Sequence, residues 1–136
     1  VVGPGQRLLR GTASDIDNAS VALRLVYDNV SFLLTGDMFS EAEGVLVRGD
    51  ASIDSDVLKV GHHGSRSSSS AAFLDRVDST VGVISAGEDN RFGHPHPETL
   101  EALSASVPEE RLFVTSERGT VEFVTDGRTL QVRTER

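Results

Sequence analysis

Apolar positions alternate with polar ones in some stretches of this chain and recur at helical spacing in others, and the two patterns take turns. Val21, Leu23 and Leu25 fall on one side of an alternating run that ends at Tyr27, with Arg24 on the other. Asp28-Asn29 is a hairpin signal, and Val30 to Thr35 is the returning strand. A helix is predicted from Ser40 to Val47. Ser40 is its cap, Glu41 and Glu43 lie in the first turn, and Gly49-Asp50 ends it. Asp56 to Val60 reads as a buried strand, with Lys59 as an exposed edge residue. Phe73, Leu74 and Val77 share one face of a second helix, Ala71 to Val77. Val81 to Ile84 is a short buried strand. Pro97 opens a third helix that runs to about Ser106, with Leu100 and Leu103 inward. Strands at Leu112–Thr115, Thr120–Val124 and Thr129–Arg133 finish the chain, the last two joined at Asp126-Gly127. Helices interleaved with strands and followed by hairpins predict one α/β layered domain over residues 1–136, with a mixed sheet.

Charge and composition narrow what such a domain does. The formal net charge is −8, so surface-wide attraction to a polyanion is not expected. A polyanion has to be held by a local site, and a bound cation is one way to reverse the local sign. There is no cysteine, which excludes disulfides and thiolate metal sites. No apolar run has the length of a membrane span. The chain opens on Val1-Val2-Gly3-Pro4, which reads as the interior of a longer protein.

The candidate chemistry is concentrated. All four histidines fall into two glycine-marked loops, Gly61-His62-His63-Gly64-Ser65 and Gly93-His94-Pro95-His96-Pro97. Asp37 follows Gly36 at the end of another predicted strand. Catalytic groups of α/β proteins gather at such strand ends. Imidazole and carboxylate suit Zn²⁺ or Mn²⁺. The Gly64-Ser65 turn suits an anion as well, and these residues alone do not choose between a metal site and a phosphate-binding turn. Arg66 and Arg91 each sit beside a histidine loop and are candidates for substrate contact, as is Ser65; solvated arginines are the plainer reading. Asp15, Asp17 and Asn18 read as turn formers. Ser65 has no Ser-His-Asp order around it, which disfavours serine-hydrolase chemistry.

Four stretches together carry a resemblance: Asp17 to Val21, Phe32 to Asp37, Leu58 to Ser65 and Gly93 to Pro97. In order and spacing they resemble the C-terminal hydrolase domain of the ComEC competence proteins, a domain of the metallo-β-lactamase superfamily. The resemblance covers the chain from about residue 13 to about residue 125. It implies the C-terminal part of an αββα sandwich. It implies that Asp37 bridges two divalent metal ions, Zn or Mn, and that His62 is a further ligand. His63 would touch substrate, and His94 and His96 would line the rim and contact a phosphate or leaving group. Asn18 and Ser20 would brace the sheet edge.

The superfamily's His-x-His-x-Asp-His motif is absent, and is expected upstream of Val1. The resemblance also implies a parent protein that is integral to the membrane. In it this domain would be extramembrane, on the extracytoplasmic side, and would hydrolyse phosphodiesters of single- or double-stranded DNA, degrading the strand that is not transported. The chain alone, a soluble piece, is expected to be inactive, to hold metal and nucleic acid weakly, and to form a homo-dimer through its exposed sheet. Two alternatives stand beside this reading. One is another hydrolase of the superfamily, of phosphorylcholine esterase or lactonase type; the other is a non-catalytic module associated with a channel.

Overall fold

The computed structural model describes residues 1–136. Its centre is a five-stranded mixed sheet in the order β1-β2-β3-β4-β5. The strands are β1 (Leu23–Tyr27), β2 (Val30–Leu34), β3 (Val57–Lys59), β4 (Val81–Ile84) and β5 (Leu112–Val114). β1 and β2 form an antiparallel hairpin, and β2 to β5 run parallel. Helices α1 (Ser40–Arg48), α2 (Ala71–Val77) and α3 (Pro97–Ser104) supply the connections between the parallel strands, as parallel pairing requires. A one-turn helix α4 (Thr115–Arg118) and a separate antiparallel hairpin, β6 (Val121–Thr125) with β7 (Leu130–Thr134), follow.

The predicted strands and three long helices are present, with ends shifted by one or two residues. α4 has no counterpart among the predicted elements. Two local expectations are corrected. Ser40 does not cap α1: its N-cap is Phe39, which makes no side-chain cap bond. The cap comes from Asn18, 21 residues before Phe39, whose Oδ1 accepts the N–H groups of Phe39 (3.0 Å) and Ala42 (3.3 Å). Lys59 is not at an edge, because β3 lies between β2 and β4.

The two faces of the sheet differ sharply. Successive side chains of a strand point to opposite faces, and the register puts Leu33 and Leu58 on one of them. That face carries the core. Leu33, Leu58, Ile84 and Val114 pack with Ala42 and Leu46 of α1, Phe73, Leu74 and Val77 of α2, and Leu103 of α3 in one buried cluster. The other face carries Leu23 opposite Leu34 and Leu25 opposite Phe32. There the β6–β7 hairpin covers part of the sheet, with Phe123 edge-on to Phe32 at 5.8 Å. Leu23, Leu25, Tyr27 and Leu34 stay exposed, at 37–59%.

Candidate functional site

Parallel β2, β3 and β4 end on the same edge of the sheet. Each is followed at once by a loop: Thr35-Gly36-Asp37 after β2 and the 61–65 turn after β3, both singled out in the sequence, and Ser85-Ala86-Gly87 after β4, which is not. The first two loops are tied together by the main chain, for His62 N–H donates to the Gly36 carbonyl at 3.0 Å. The 90–97 loop then folds back over both, and His96 N–H donates to the Gly64 carbonyl at 2.9 Å.

Glycine is required at one point of this junction. Gly64 has φ +80°, and a Cβ there would stand 2.6 Å from Cβ of Pro95. The second loop lies directly on its backbone. His62 and His63 themselves adopt left-handed conformations, with φ of 46° and 56°. Such backbone is costly for side-chain-bearing residues, and it clusters at functional sites.

The strained turn splits the two neighbouring imidazoles. His62 stacks on Phe39, with ring centroids 5.1 Å apart, and its Nδ1 is 3.1 Å from Oγ of Ser67. His63 turns the other way. Its Nδ1 is 2.7 Å from the Ser85 carbonyl, and its Nε2 is 3.6 Å from Oδ1 of Asp37. A carbonyl only accepts, so Nδ1 of His63 carries the proton, and whenever the ring is neutral its Nε2 presents a lone pair. That lone pair faces a carboxylate oxygen. Two acceptors held this way are complementary to a proton or a cation between them. A backbone carbonyl fixing the far nitrogen is also the usual support of a metal-ligating histidine.

His94 joins the group from the second loop, 5.7 Å from the His62 ring and 6.4 Å from that of His63, centroid to centroid, and 4.8 Å from His96. Burial holds the His94 imidazole below its ordinary pKa, and positive charge on His96, His62, His63 and Arg66 acts in the same direction. Lys59, half-buried at the tip of β3, is also pushed down by burial, while the Asp37 carboxylate opposes the shift.

The structure thus gathers Asp37, His62, His63, His94 and His96 at one edge. It pairs His63, not His62, with Asp37. The remaining candidates have partners of their own, and the Arg66 N–H also reaches the group, donating to Nδ1 of His96 at 3.2 Å. Ser65 is buried, with its N–H donated to the His62 carbonyl and its Oγ 3.0 Å from that of Ser67. Arg66 pairs with Glu98 at 3.5 Å, and Arg91 lies over the Phe92 ring, its Cζ 4.8 Å from the centroid. Ser20 braces the first loop by accepting the Asp37 N–H at 3.1 Å. No group of three His, Cys, Asp or Glu side chains converges well enough to hold a metal ion.

Three contributors lie outside the candidates that the sequence singles out. Glu43, fully buried on α1, accepts the N–H groups of Ser69 (2.6 Å) and Ser70 (2.9 Å) and the Ser70 hydroxyl (2.7 Å). It thereby holds the serine-rich segment that supports His62, and burial raises its pKa against those bonds. Ser85 orients His63 through its carbonyl. Asn90 braces His94 at both main-chain ends, accepting its N–H at 2.8 Å and donating to its carbonyl at 2.6 Å. Only this last pair has a local trace, the Asn90-x-x-x-His94 spacing.

The α/β fold thus lines a carboxylate and four imidazoles along the edge where its parallel strands end, the edge at which ligands of open α/β sheets generally bind. Its relatives give the family. The chain is 36% identical over 107 residues to ComE operon protein 3 of Bacillus subtilis, an alignment covering 79% of this chain and 14% of that protein. It is 41% identical over 88 residues to Recombination protein 2 of Haemophilus influenzae, covering 64% and 11%. It is 39% identical over 82 residues to Competence protein ComA of Neisseria gonorrhoeae, covering 60% and 12%. The chain belongs to this family of competence proteins, related to ComEC. The matched segments span 11–14% of the length of these relatives. No protein-family model and no solved structure matches the chain, and none of its helices is long and apolar enough to cross a membrane.

Proposed function

We propose that this chain is part of the phosphodiester-hydrolysing domain of a DNA-uptake protein, and that its strand-tip edge is one side of a divalent-metal site. The observation that carries this is the opposed pair of acceptors, Nε2 of His63 and Oδ1 of Asp37 at 3.6 Å. Both donors suit Zn²⁺ or Mn²⁺. They are two ligands, too few for a closed site, so the others come from elsewhere in a longer protein. A bound divalent ion supplies charge neutralisation and a water activated as nucleophile.

The chain's own residues have separable tasks in this reading. Ser85 locks the His63 tautomer, and Ser20 orients the loop that carries Asp37. His94 and His96, at the rim, offer ring N–H groups to phosphate oxygens. Neutral His94 does so without adding another full charge beside Arg66. The metallo-β-lactamase resemblance extends this picture to the sheet. Its exposed apolar face, with Leu23, Leu25, Tyr27 and Leu34, is where the rest of a sandwich would pack. In the isolated chain the same face favours self-association, which light scattering reads directly.

The test has two parts. Zn²⁺ or Mn²⁺ titrated into the chain is expected to bind weakly, and Asp37→Asn or His63→Gln is expected to abolish that binding. In the longer protein the same substitutions remove cleavage of an abasic oligonucleotide. Metal binding or cleavage unaffected by both substitutions defeats the proposal.

A further inference from the structure

Beside the histidines, between the loop after β4 and the 90–97 loop, lies a cavity of about 460 Å³ bordered by His63, Ala86, Asn90, Phe92 and His94. That size admits a planar ring system with room to spare. Phe92 is the unusual element of its wall. The residue is 60% exposed, in a chain with only six phenylalanines, one tyrosine and no tryptophan. It is nearly parallel to His94, at 22° with centroids 5.7 Å apart, and the Arg91 guanidinium lies against it. An exposed aromatic with an arginine beside it, at the border of a phosphate-handling site, is the pairing that stacks a nucleobase and meets its phosphate.

We infer that Phe92 is the stacking platform for one unpaired nucleobase of a DNA strand whose phosphate lies at the histidine cluster, with Arg91 moving from the ring to a strand phosphate as the base arrives. The inference rests on the phosphodiester reading above and narrows it to single-stranded substrate, because a paired base has no free face to offer.

The polar lining points to base-tolerant binding. Asn90 is committed to the Gly87 carbonyl and to both main-chain groups of His94. The Thr115 hydroxyl accepts the Ala86 N–H and donates to its carbonyl. With those side chains occupied, the pocket holds a base by its π-face more than by its hydrogen-bonding edge. Stacking also suits a protein of net charge −8, whose overall field works against a polyanion.

The test is binding of a labelled single-stranded oligothymidylate to the chain at low salt, read by fluorescence anisotropy, beside an abasic strand of the same length. The chain is expected to prefer the thymidylate strand about tenfold. Phe92→Ala removes that preference and leaves abasic binding unchanged, and Phe92→Tyr keeps it. Because Phe92 is exposed, its variants keep the parent's melting temperature, which circular dichroism verifies. Equal affinity for the two strands, no measurable affinity for either, or a preference that survives Phe92→Ala overturns the inference. The phosphodiester reading fails separately, if Asp37→Asn and His63→Gln leave abasic-strand cleavage by the longer protein unaffected, a reaction with no base to stack.

Discussion

Each of the two histidine loops brings two imidazoles to the site, yet they are held by different means. The 61–65 turn is fastened by the fold itself. Its backbone is bonded to the loop after β2, and the serine segment behind it is anchored by a carboxylate buried under α1. The 90–97 loop rests on the first through the Gly64 contact, and one asparagine side chain ties it to itself. The first loop is framework that happens to carry ligands, so damage there shows in stability. The second is an attachment carrying the exposed Arg91 and Phe92, so damage there shows in what the site binds.

The largest effect is expected where the two loops touch. Gly64→Ala places a methyl group in left-handed backbone and against Pro95. Strain and overpacking together are expected to cost about 3 kcal/mol, roughly a 10 °C fall in Tm for a domain of this size. An unchanged Tm would mean that the second loop lifts freely and does not rest on the first. Glu43→Ala comes next, at about 2 kcal/mol, because two N–H groups of the α2 approach lose their acceptor; relief of the buried carboxylate's desolvation offsets part of the loss. Its sharper readout is the His62 ring, whose NMR signals should broaden as the Ser67 support loosens. A stability loss that leaves the His62 signals untouched would separate the serine segment from the site.

Much of the architecture was readable along the chain because it is encoded locally. Alternation marked β1 and β2, helical spacing marked α2 to its last residue, and Asp126-Gly127 marked the last hairpin. The clustering of all four histidines in two glycine-flanked loops marked the imidazoles that the fold gathers at one edge, for the same reason. What escaped depends on partners far apart in sequence. Asn18 caps α1 from 21 residues before Phe39, so the neighbouring Ser40 looked sufficient. Glu43 resembled an ordinary first-turn acid until α2 folded over it. Lys59 looked like an edge residue because strand order is not written in a single strand. Which of two adjacent histidines meets Asp37 is decided by two left-handed residues, and their handedness has no signature in a Gly-His-His-Gly run.

Smaller substitutions sharpen the contrast from the second loop. Asn90→Ala removes three hydrogen bonds, two of them to the main chain of His94. Solvent reaches this loop and replaces part of what is lost, so the expected cost is about 1 kcal/mol. The site should suffer more than the fold, with faster hydrogen exchange at the His94 N–H and weaker oligothymidylate binding. A variant losing several kcal/mol in urea denaturation would make the second loop as structural as the first.

The smallest effect is electrostatic. Burial, then the positive charge of His96, His62, His63 and Arg66, lowers the pKa of His94 from its ordinary value of 6.5. The folded chain therefore refuses a proton that the unfolded chain accepts. By linkage, this contribution to stability is fully present above the unfolded value and is lost as pH falls through the folded one. The sign is the reverse of a histidine stabilised by a carboxylate partner. Across pH 7.5 to 5.5, Tm should fall toward the acid end, and His94→Gln, which cannot take up the proton, should flatten the profile by a small fraction of the Gly64→Ala effect. Parallel profiles for the two proteins would mean that the rim imidazole does not feel its neighbours, and that the second loop stands farther from the first than the 5.7 Å between the His62 and His94 rings allows.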